Sequence, residues 1–406
     1  MPKPDTLNRR DVAASNDVPA TRRTGLHPDF WYPMARSGAL KAGRTLAVSF
    51  AGEPIVLVRP ENGSPYALED RCAHRQVPLH LGVVRGERLL CGYHCWTYDR
   101  TGHCVNVPYL DESQTLPNGV RRYACREAYG FVFVFPGDQS KADRDLVPLP
   151  ELPRFSDPRY RMRLLDRQIA CHYSFMHENL MDMNHQFLHR SLMGKVRPTL
   201  LDVREGADWI EADYTFSAQL KHSLGREFMV GRKSDQNADL MTIRTGYPYQ
   251  TLRYWTPGDK EGDPALDLWN AYVPLDRAQS RNQTYGALMV RKPKVPGLIH
   301  LAWPVILSFT EGIFGQDRRI VEAEQRAYED QGGDLNQEIF PLIHRLKQLL
   351  ARCGVPLADQ AATPSGYDAL STIKAEQDPV DEGGADREPA ASNAGSEARS
   401  RAGRSA

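Results

Sequence analysis

Two short loops, each with one cysteine and one histidine, constrain the fold of this chain more than any other feature of its sequence. Cys72 and His74 form the first pair, Cys91 and His94 form the second, and together they give the pattern C-x-H-x16-C-x2-H. Thiolate and imidazole are ligands for zinc and for the iron of iron–sulfur clusters. The pattern therefore predicts that the fold brings the two loops together around a metal centre.

The way in which the ligand types are paired favours an iron–sulfur cluster over zinc. Structural zinc sites with two cysteines and two histidines usually combine a C-x2-C pair with an H-x3-5-H pair. In this chain each loop instead offers one cysteine and one histidine. A cluster in which two cysteines hold one iron and two histidines hold the other needs this ligand set. A zinc site stays open as the alternative.

Composition excludes some classes of protein. Lys plus Arg and Asp plus Glu both number 51, so the formal net charge is zero, which argues against sequence-independent binding to nucleic acid. The seven cysteines are an odd number and follow no apolar signal segment, so a disulfide framework is not expected. The longest apolar stretch, residues 297–309, is too short to span a bilayer. We therefore expect a cytoplasmic protein without stable membrane insertion.

Composition also divides the chain into four segments. Residues 1–26 are polar and are expected to be a flexible N-terminal segment. Residues 27–146 carry the strand and turn patterns of a small antiparallel β domain. Residues 147–374 form a second domain of mixed pattern, which begins with the proline-containing run 147–153. Residues 375–406 contain one Val and no Leu, Ile or aromatic residue, which predicts a disordered tail.

Periodicity predicts individual elements within the two domains. Helical spacing covers 170–190, and Leu342, Ile343 and Leu346 belong to an amphipathic helix that closes the second domain and includes Ile339. Strands are predicted by short apolar or alternating runs at 47–50, 55–58, 131–135 and 209–219. The second domain is therefore α+β.

A second group of ionisable residues lies in the predicted helix 170–190. Glu178, Asp182, His185 and His189 have the spacing 4, 3, 4, which places them on one face of a helix. The other faces are apolar and include Phe187, so we expect this helix to be buried. Buried ionisable groups need partners or a metal. The histidine pair by itself leaves both possibilities open.

Both groups of residues resemble one known family. CAHRQVPLHLG and CGYHCWTYDRTGHC resemble the Rieske [2Fe-2S] motif of the Rieske non-heme iron oxygenases, specifically the oxygenase (alpha) subunits of the aromatic ring-hydroxylating type. The motif's other usual residues are also present, at Arg75, Gly82, Trp96, Gly102 and Cys104. Gly92 and Cys95 stand where the family commonly has Pro and Gly, neither of them at a ligand position. The resemblance implies that the cluster is held by Cys72, His74, Cys91 and His94.

The other cysteines and histidines of this segment are expected to have ordinary structural roles. Cys95 and Cys104 are interpreted as small buried residues that bind no iron. His80 and His103 are interpreted as surface or hydrogen-bonded histidines.

The resemblance continues in the second domain. HENLMDMNHQFLH is similar to the family segment whose two histidines bind Fe(II) together with a distant aspartate, which implies His185 and His189 as ligands. Three residues separate them, whereas the family usually has four or five. FGQDRRIVEAEQ resembles the segment that supplies the aspartate at the head of the C-terminal helix, which selects Asp317. Without the resemblance, Glu311, Glu322 and Glu324 could not be ranked below it.

The family also assigns a role to Asp182. There this aspartate is the electron-transfer bridge between the mononuclear iron and a Rieske histidine, usually across a subunit boundary. His172 and His177 remain candidates for structural or supporting roles.

The resemblance implies both an architecture and an activity. The fold would be a Rieske-type antiparallel β domain followed by a helix-grip (START-like) catalytic domain, assembled as a homotrimer. The protein would be a mono- or dioxygenase that uses O2, a [2Fe-2S] cluster and Fe(II) to hydroxylate, dihydroxylate or oxidatively demethylate an apolar, aromatic small molecule. Electrons would come from an NAD(P)H-dependent reductase or a ferredoxin, since no G-x-G-x-x-G fingerprint is present.

Three alternatives stay open at this point. A pure electron-transfer protein would use only the Rieske cluster, and a zinc-stabilised binding module would use neither iron site. The apolar stretch 297–309 is expected to be core or subunit interface, with a substrate entrance or a membrane contact as the alternative.

Overall fold

Antiparallel strands are the commonest elements in this computed structural model, which describes residues 21–111, 113–218, 239–256 and 262–357. The first strands are β1 (Thr24–Gly25), β2 (Tyr32–Arg36), β3 (Arg44–Phe50), β4 (Glu53–Arg59), β5 (Tyr66–Glu69), β6 (Val83–Arg85), β7 (Arg88–Leu90), β8 (Thr97–Tyr98), β9 (Cys104–Asn106), β10 (Arg122–Ala128) and β11 (Phe131–Phe135). The later strands are β12 (Tyr160–Ile169), β13 (Val196–Glu205), β14 (Trp209–Ala218), β15 (Leu240–Gly246), β16 (Tyr249–Trp255), β17 (Leu266–Pro274), β18 (Asn282–Arg291) and β19 (Val355–Pro356). The α-helices are α1 (Gln139–Asp143), α2 (Tyr173–Met181), α3 (Arg190–Met193), α4 (Leu298–Asp330) and α5 (Pro341–Cys353).

The N-terminal half contains two sheets. Six strands pair in the order β2-β11-β10-β5-β4-β3, and four short strands pair in the order β6-β7-β8-β9. All five residues of β11 are buried, because its sheet is covered on both faces. Ala51 and Gly52 form the predicted turn between β3 and β4. Their amides donate to the carbonyls of Pro274 and Leu275, which docks this hairpin on the second half of the chain.

The C-terminal half is built on one seven-stranded antiparallel sheet. Its order is β12-β18-β17-β16-β15-β14-β13. The side chains of β18 alternate between the two faces, as a strand requires. Tyr285 packs on Phe131 of the first half, whereas Leu288 packs with Ile299 and Trp303 of α4. The sheet therefore separates the β domain from the helices, and the predicted α+β class is confirmed.

The segment just before β2 is ordered, contrary to the expectation of a flexible lead-in over residues 1–26. β1 pairs with β19, and Arg22 is buried. The guanidinium of Arg22 forms an ion pair with Glu178 of α2, which holds this segment against the second domain. Residues 1–20 of the expected lead-in and the expected disordered tail 375–406 lie outside the described residues.

The predicted single helix over 170–190 is wrong. α2 ends at Met181, and Asp182 adopts an extended conformation with φ −88° and ψ 91°. The Asp182 carboxylate accepts a hydrogen bond from the amide of Asn184, so it caps a 3-10 helix, Met183–Phe187, instead of continuing α2. A short aspartate side chain that bonds the backbone two residues on competes with helical pairing. As a result Phe187 is exposed rather than buried.

Two further helix boundaries differ from the prediction. The helix that carries Asp317 begins at Leu298, so Asp317 lies in the middle of α4 and not at its head. The closing amphipathic helix α5 begins at Pro341, a residue suited to the first helical turn because it has no N–H to satisfy. Ile339 therefore precedes the helix and is exposed.

Candidate metal centres

The two cysteine–histidine loops lie side by side at one end of the β domain. The sequence places the first between β5 and a 3-10 helix, Leu79–Leu81, and the second between β7 and β8. Backbone hydrogen bonds close each loop, from Cys72 N to Val77 O and from Cys91 N to Trp96 O. These contacts hold both cysteines in buried positions.

The side chains of the two loops meet in pairs, histidine with histidine and cysteine with cysteine. The imidazoles of His74 and His94 lie with ring centroids 4.6 Å apart, and His74 stacks on Trp96 at 4.7 Å. The Nδ1 atom of His74 is buried and has no hydrogen-bond partner. A buried ring nitrogen without a partner is costly unless a ligand satisfies it. The position therefore fits a metal.

The electrostatics of the two cysteines also fit a metal. A hydrogen bond between their sulfurs lowers the pKa of Cys72, and the Tyr98 hydroxyl and the amides of His74 and Arg75 lower it further against the effect of burial. The same sulfur–sulfur hydrogen bond and burial raise the pKa of Cys91. The Cys72 sulfur lies 3.1 Å from the Tyr98 hydroxyl oxygen. A thiolate prepared in this way is a ready ligand for iron.

The neighbouring residues follow the sequence interpretation with one exception. His80 hydrogen-bonds through Nδ1 to Asp70, and His103 hydrogen-bonds through Nδ1 to Thr101. Cys104 is buried, as expected. Cys95 is exposed instead of buried, because it sits at the turn of its loop with φ +55°.

The second centre is formed by His185, His189 and Asp317. One ligand atom from each lies within 4.8 Å of the others. Oδ1 of Asp317 is 3.7 Å from Nε2 of His185 and 3.2 Å from Nε2 of His189. Nε2 of His189 and Oδ1 of Asp317 are nevertheless buried without a well-formed hydrogen bond. Three converging donors in this state fit a bound metal ion.

Backbone and side-chain contacts orient the two histidines. Nδ1 of His185 hydrogen-bonds to the backbone carbonyl of Asp182, and Nδ1 of His189 lies 2.8 Å from Oε1 of Gln316. Because each Nδ1–H has an acceptor, each Nε2 carries the lone pair that a metal requires. Burial disfavours the charged form of His189, but the Asp317 carboxylate raises its pKa above the ordinary value.

The break at Asp182 decides which of the predicted residues reach this centre. His185 lies in the 3-10 helix and His189 precedes α3, so the two are not related by one continuous helix. Glu178 points elsewhere and pairs with Arg22 and Lys347. The carboxylate of Asp182 binds Asn184, while its backbone carbonyl accepts from His185.

Two of the rival carboxylates of α4 have other partners, since Glu311 pairs with Arg167 and Glu322 pairs with Arg318. Glu324 does not belong to the group of donors that converge at the second centre, whose carboxylate is that of Asp317. Sequence reasoning missed Gln316, although its position next to Asp317 was visible.

His172 and His177 are buried and lie in α2 or at its start. Nδ1 of His172 is 2.7 Å from the Ser174 hydroxyl, and His172 caps α2. Burial lowers the pKa of His177 to about 3, and its Nδ1 lies 3.3 Å from the Thr245 hydroxyl. Both rings are therefore neutral near pH 7.

α4 itself extends well beyond the apolar stretch that the sequence suggested. By length and composition α4 could cross a membrane. The fold buries 17% of its most apolar window.

Two family descriptions match this chain. Residues 30–123 match the Rieske [2Fe-2S] domain, and residues 169–341 match the vanillate O-demethylase oxygenase C-terminal domain. The first match covers the paired loops, and the second covers His185, His189 and Asp317.

Individual relatives agree with both matches. The chain is 30% identical over 355 residues to a 4β-methylsterol monooxygenase of Methylococcus capsulatus, an alignment that covers 85% of this chain and 93% of that relative. It is 36% identical over 166 residues to a vanillate O-demethylase oxygenase subunit of a Pseudomonas species. That second alignment covers 41% of this chain and 46% of the relative.

Solved structures have the same fold. Dicamba monooxygenase bound to 3,6-dichlorosalicylic acid superposes with a TM-score of 0.65 at 20% identity, over 81% of this chain and 98% of that one. NdmA of Pseudomonas putida with caffeine superposes with a TM-score of 0.60 at 20% identity, over 80% of this chain and 88% of that one.

Proposed function

The chain belongs to the Rieske-type iron oxygenases, and from this premise we propose that it is a terminal monooxygenase that oxidises a methyl group of an apolar ring compound. In this family a [2Fe-2S] cluster relays electrons and a mononuclear iron activates dioxygen. Cys72, His74, Cys91 and His94 would hold the cluster. His185, His189 and Asp317 would hold the mononuclear iron.

The convergence of His185, His189 and Asp317 carries this proposal. An electron-transfer protein needs only the first centre, and a zinc-stabilised module would hold zinc at the first centre and needs no second one. Here a second set of donors meets within 4.8 Å, with each imidazole turned by a separate acceptor on Nδ1. Two histidines and one carboxylate leave coordination positions open, which is the arrangement of non-heme Fe(II) oxygenases.

The relatives favour oxidation of a methyl carbon over dihydroxylation. One is named a methylsterol monooxygenase, and two others are named O-demethylases. In such a reaction one C–H bond of the methyl group becomes C–OH, and the second oxygen atom leaves as water. Two electrons and two protons are consumed, and an external NAD(P)H-dependent reductase or a ferredoxin would supply the electrons. The sterol relative is matched over nearly its whole length, so a methylated polycyclic substrate is the first choice.

Asp182 would connect the two centres across a subunit boundary. Its backbone carbonyl accepts a hydrogen bond from the His185 ring, and its half-buried carboxylate accepts from Asn184 through one oxygen. The other carboxylate oxygen would accept a hydrogen bond from a Rieske histidine of another subunit.

Exposed apolar side chains support an assembly of this kind. Phe187, next to the second centre, is 71% exposed. The region around the first centre exposes Leu81, Val83, Tyr93 and Tyr109. Exposed apolar groups of this size mark interaction surfaces, and a head-to-tail homotrimer would cover one patch with the other.

Metal analysis of protein purified without oxygen tests the two centres. We expect about three irons and two acid-labile sulfides per chain, because a Rieske cluster holds two irons and the second centre holds one. Asp317→Ala should lower this to about two irons with both sulfides retained. Asp330→Ala, at the exposed last residue of the same helix, is the matched control. Two irons in the wild type, or zinc without sulfide, would contradict the proposal.

Turnover tests the reaction. With a surrogate ferredoxin and its reductase, a 4-methylsterol should yield a product with one added oxygen atom, and 18O2 should supply that atom. Vanillate serves as the aromatic comparison and should yield formaldehyde if the substrate is instead a methyl ether. Product carrying two atoms from O2 would mean dihydroxylation and would refute the monooxygenase assignment.

A further inference from the structure

An exposed row of apolar side chains lies at the start of α4 and has no role in either metal centre. Val295, Leu298, Leu301 and Val305 are 62%, 43%, 80% and 65% exposed, and we call them the apolar ridge. Positions 298, 301 and 305 follow helical spacing, so they lie along one face of α4. Exposed apolar surface of this extent needs a partner.

The opposite face of the same helix is already packed. Ile299, Trp303 and Ile306 are buried against Leu165 of β12 and Leu288 of β18. The helix is therefore amphipathic in an unusual sense, with one apolar face in the core and a second one in solvent. The ridge cannot turn inward without removing these three residues from the sheet. For the same reason the helix cannot cross a bilayer while it stays packed.

The charged residues that lead into the ridge along the chain are all basic. No Asp or Glu occurs from residue 291 to residue 310, whereas Lys292 and Lys294 directly precede the ridge and are exposed. Arg161 lies beside the helix, with its guanidinium 4.5 Å from the Trp303 ring centre and hydrogen-bonded to His300. The first acidic residue, Glu311, is paired with Arg167. Asp157 and Asp263, which lie beside the residues leading into the ridge, are both paired with Arg159. The ridge is thus bordered by lysine at its N-terminal end.

We propose that the apolar ridge docks this protein on the surface of an anionic lipid bilayer, with α4 lying in the interface. Apolar side chains flanked by lysine are the features that hold a helix at the boundary between headgroups and acyl chains. A two-fold contact with a second copy would place Lys292 and Lys294 near the same residues of that copy, which is unfavourable. The head-to-tail homotrimer proposed above would use the patches around Phe187 and the first centre, so it leaves the ridge free.

The position of the ridge links the membrane surface to the second metal centre. Leu301 and Asp317 lie on the same helix, about 24 Å apart along its axis at 1.5 Å per residue. Docking at the ridge would therefore hold the second centre about 24 Å along α4 from residues in contact with the bilayer, in which an apolar substrate would dissolve. This consequence rests on the proposed oxygenase function, but the docking itself does not.

Vesicle flotation tests the docking with the full-length protein loaded with iron. Vesicles of phosphatidylcholine with about one third phosphatidylglycerol supply the anionic surface, and pure phosphatidylcholine vesicles are the comparison. We expect binding to the anionic vesicles that weakens as salt is raised. Leu301→Glu combined with Val305→Glu should reduce the partition coefficient at least tenfold, since both charges would enter the interface. Lys292→Gln combined with Lys294→Gln should reduce it by about fivefold per lysine.

The matched control is Leu335→Glu combined with Ile339→Glu. Both residues are exposed, in the segment between α4 and α5, and should leave vesicle binding unchanged. Equal binding of the wild type and the Leu301/Val305 variant, or no binding to anionic vesicles, would overturn the proposal. A smaller oligomer for the Leu301/Val305 variant in analytical ultracentrifugation would overturn it too, because the ridge would then be a contact between copies. Iron content and turnover in detergent are measured separately from vesicle binding. A failure of the oxygenase proposal would therefore leave the outcome of the vesicle-binding test unchanged.

Discussion

Replacing Glu178 with Gln should destabilise the protein more than any other single loss of charge in its cluster. Glu178 accepts two hydrogen bonds from the Arg22 guanidinium, at 2.6 and 2.9 Å, and lies 3.6 Å from Lys347 Nζ. The side chains of Arg22 and Lys347 are 2% and 3% exposed. Glu178→Gln therefore leaves two buried cations without this carboxylate, whereas Arg22→Met or Lys347→Met leaves Glu178 with one cation.

The magnitude follows from the burial of the pair. Removing one partner of a buried ion pair costs about 3–5 kcal/mol. We assign about 5 kcal/mol to Glu178→Gln, because two cations are affected, and about 3 kcal/mol to Arg22→Met. The entropy of unfolding is about 2.1 cal/mol/K per residue, and the structure describes roughly 300 residues. The two losses of stability therefore lower Tm by about 8 °C for Glu178→Gln and about 5 °C for Arg22→Met. The triple variant Arg22→Met/Glu178→Gln/Lys347→Met should recover most of the loss, since it removes both buried cations together with the carboxylate that pairs with them.

Calorimetry and urea titration of the iron-loaded protein measure these effects. Glu127→Gln is the matched control, since Glu127 binds Arg59 through two hydrogen bonds of similar length at the surface. We expect it to cost about 1 kcal/mol or less. Equal losses for Glu178→Gln and Glu127→Gln would refute the argument from burial. A triple variant no more stable than Glu178→Gln alone would refute the argument from unpaired charge.

Three other predictions rest on separate contacts. Burial lowers the pKa of His177 to about 3, so below pH 6.5 the unfolded chain takes up a proton that the folded protein does not, and the free energy of unfolding decreases as the pH is lowered. In urea titrations, His177→Phe should remove about 2 kcal/mol of the loss of stability between pH 7.5 and pH 5. An unchanged pH profile for this variant would contradict the prediction. Gly102 has φ +83°, and a Cβ there would lie 2.2 Å from the Val120 carbonyl oxygen, so Gly102→Ala should lower the free energy of unfolding by about 2–3 kcal/mol. Gly86→Ala is the control and should lower it by about 1 kcal/mol, because a Cβ at Gly86 would meet nothing within 4 Å. Asp182→Asn keeps a cap for the Met183–Phe187 turn, so Tm and iron content should stay the same while product formation falls, and an unaffected turnover rate would remove Asp182 from the electron path.

The fold and the two centres were largely readable from the sequence where the signal is local. C-x-H and C-x2-H each fit in one turn, so spacing alone placed the four cysteine and histidine residues of the first candidate centre in two loops. The strands at 131–135 and 209–219 were visible because apolar runs and alternation are local patterns as well.

Spacing failed where a side chain competes with the backbone. The 4, 3, 4 pattern predicted that Glu178, Asp182, His185 and His189 share a helix face, but the Asp182 carboxylate caps a new turn and breaks the helix. Periodicity cannot register this competition, because it depends on one hydrogen bond to the amide of Asn184. Glu178, which lies before the break, pairs with Arg22, and Phe187, which lies after it, is exposed.

The sequence by itself determined which potential ligand groups each loop of this protein carries, because residue types and their short spacings are local features of the chain. Only the tertiary structure decided that Asp317, 128 positions after His189, meets it at 3.2 Å, that Arg22 is anchored in the core, and that one side of α4 stays in solvent. These facts depend on which surfaces of distant elements pack together. Packing is settled by the burial of the whole sheet against its helices, and no local pattern contains that information.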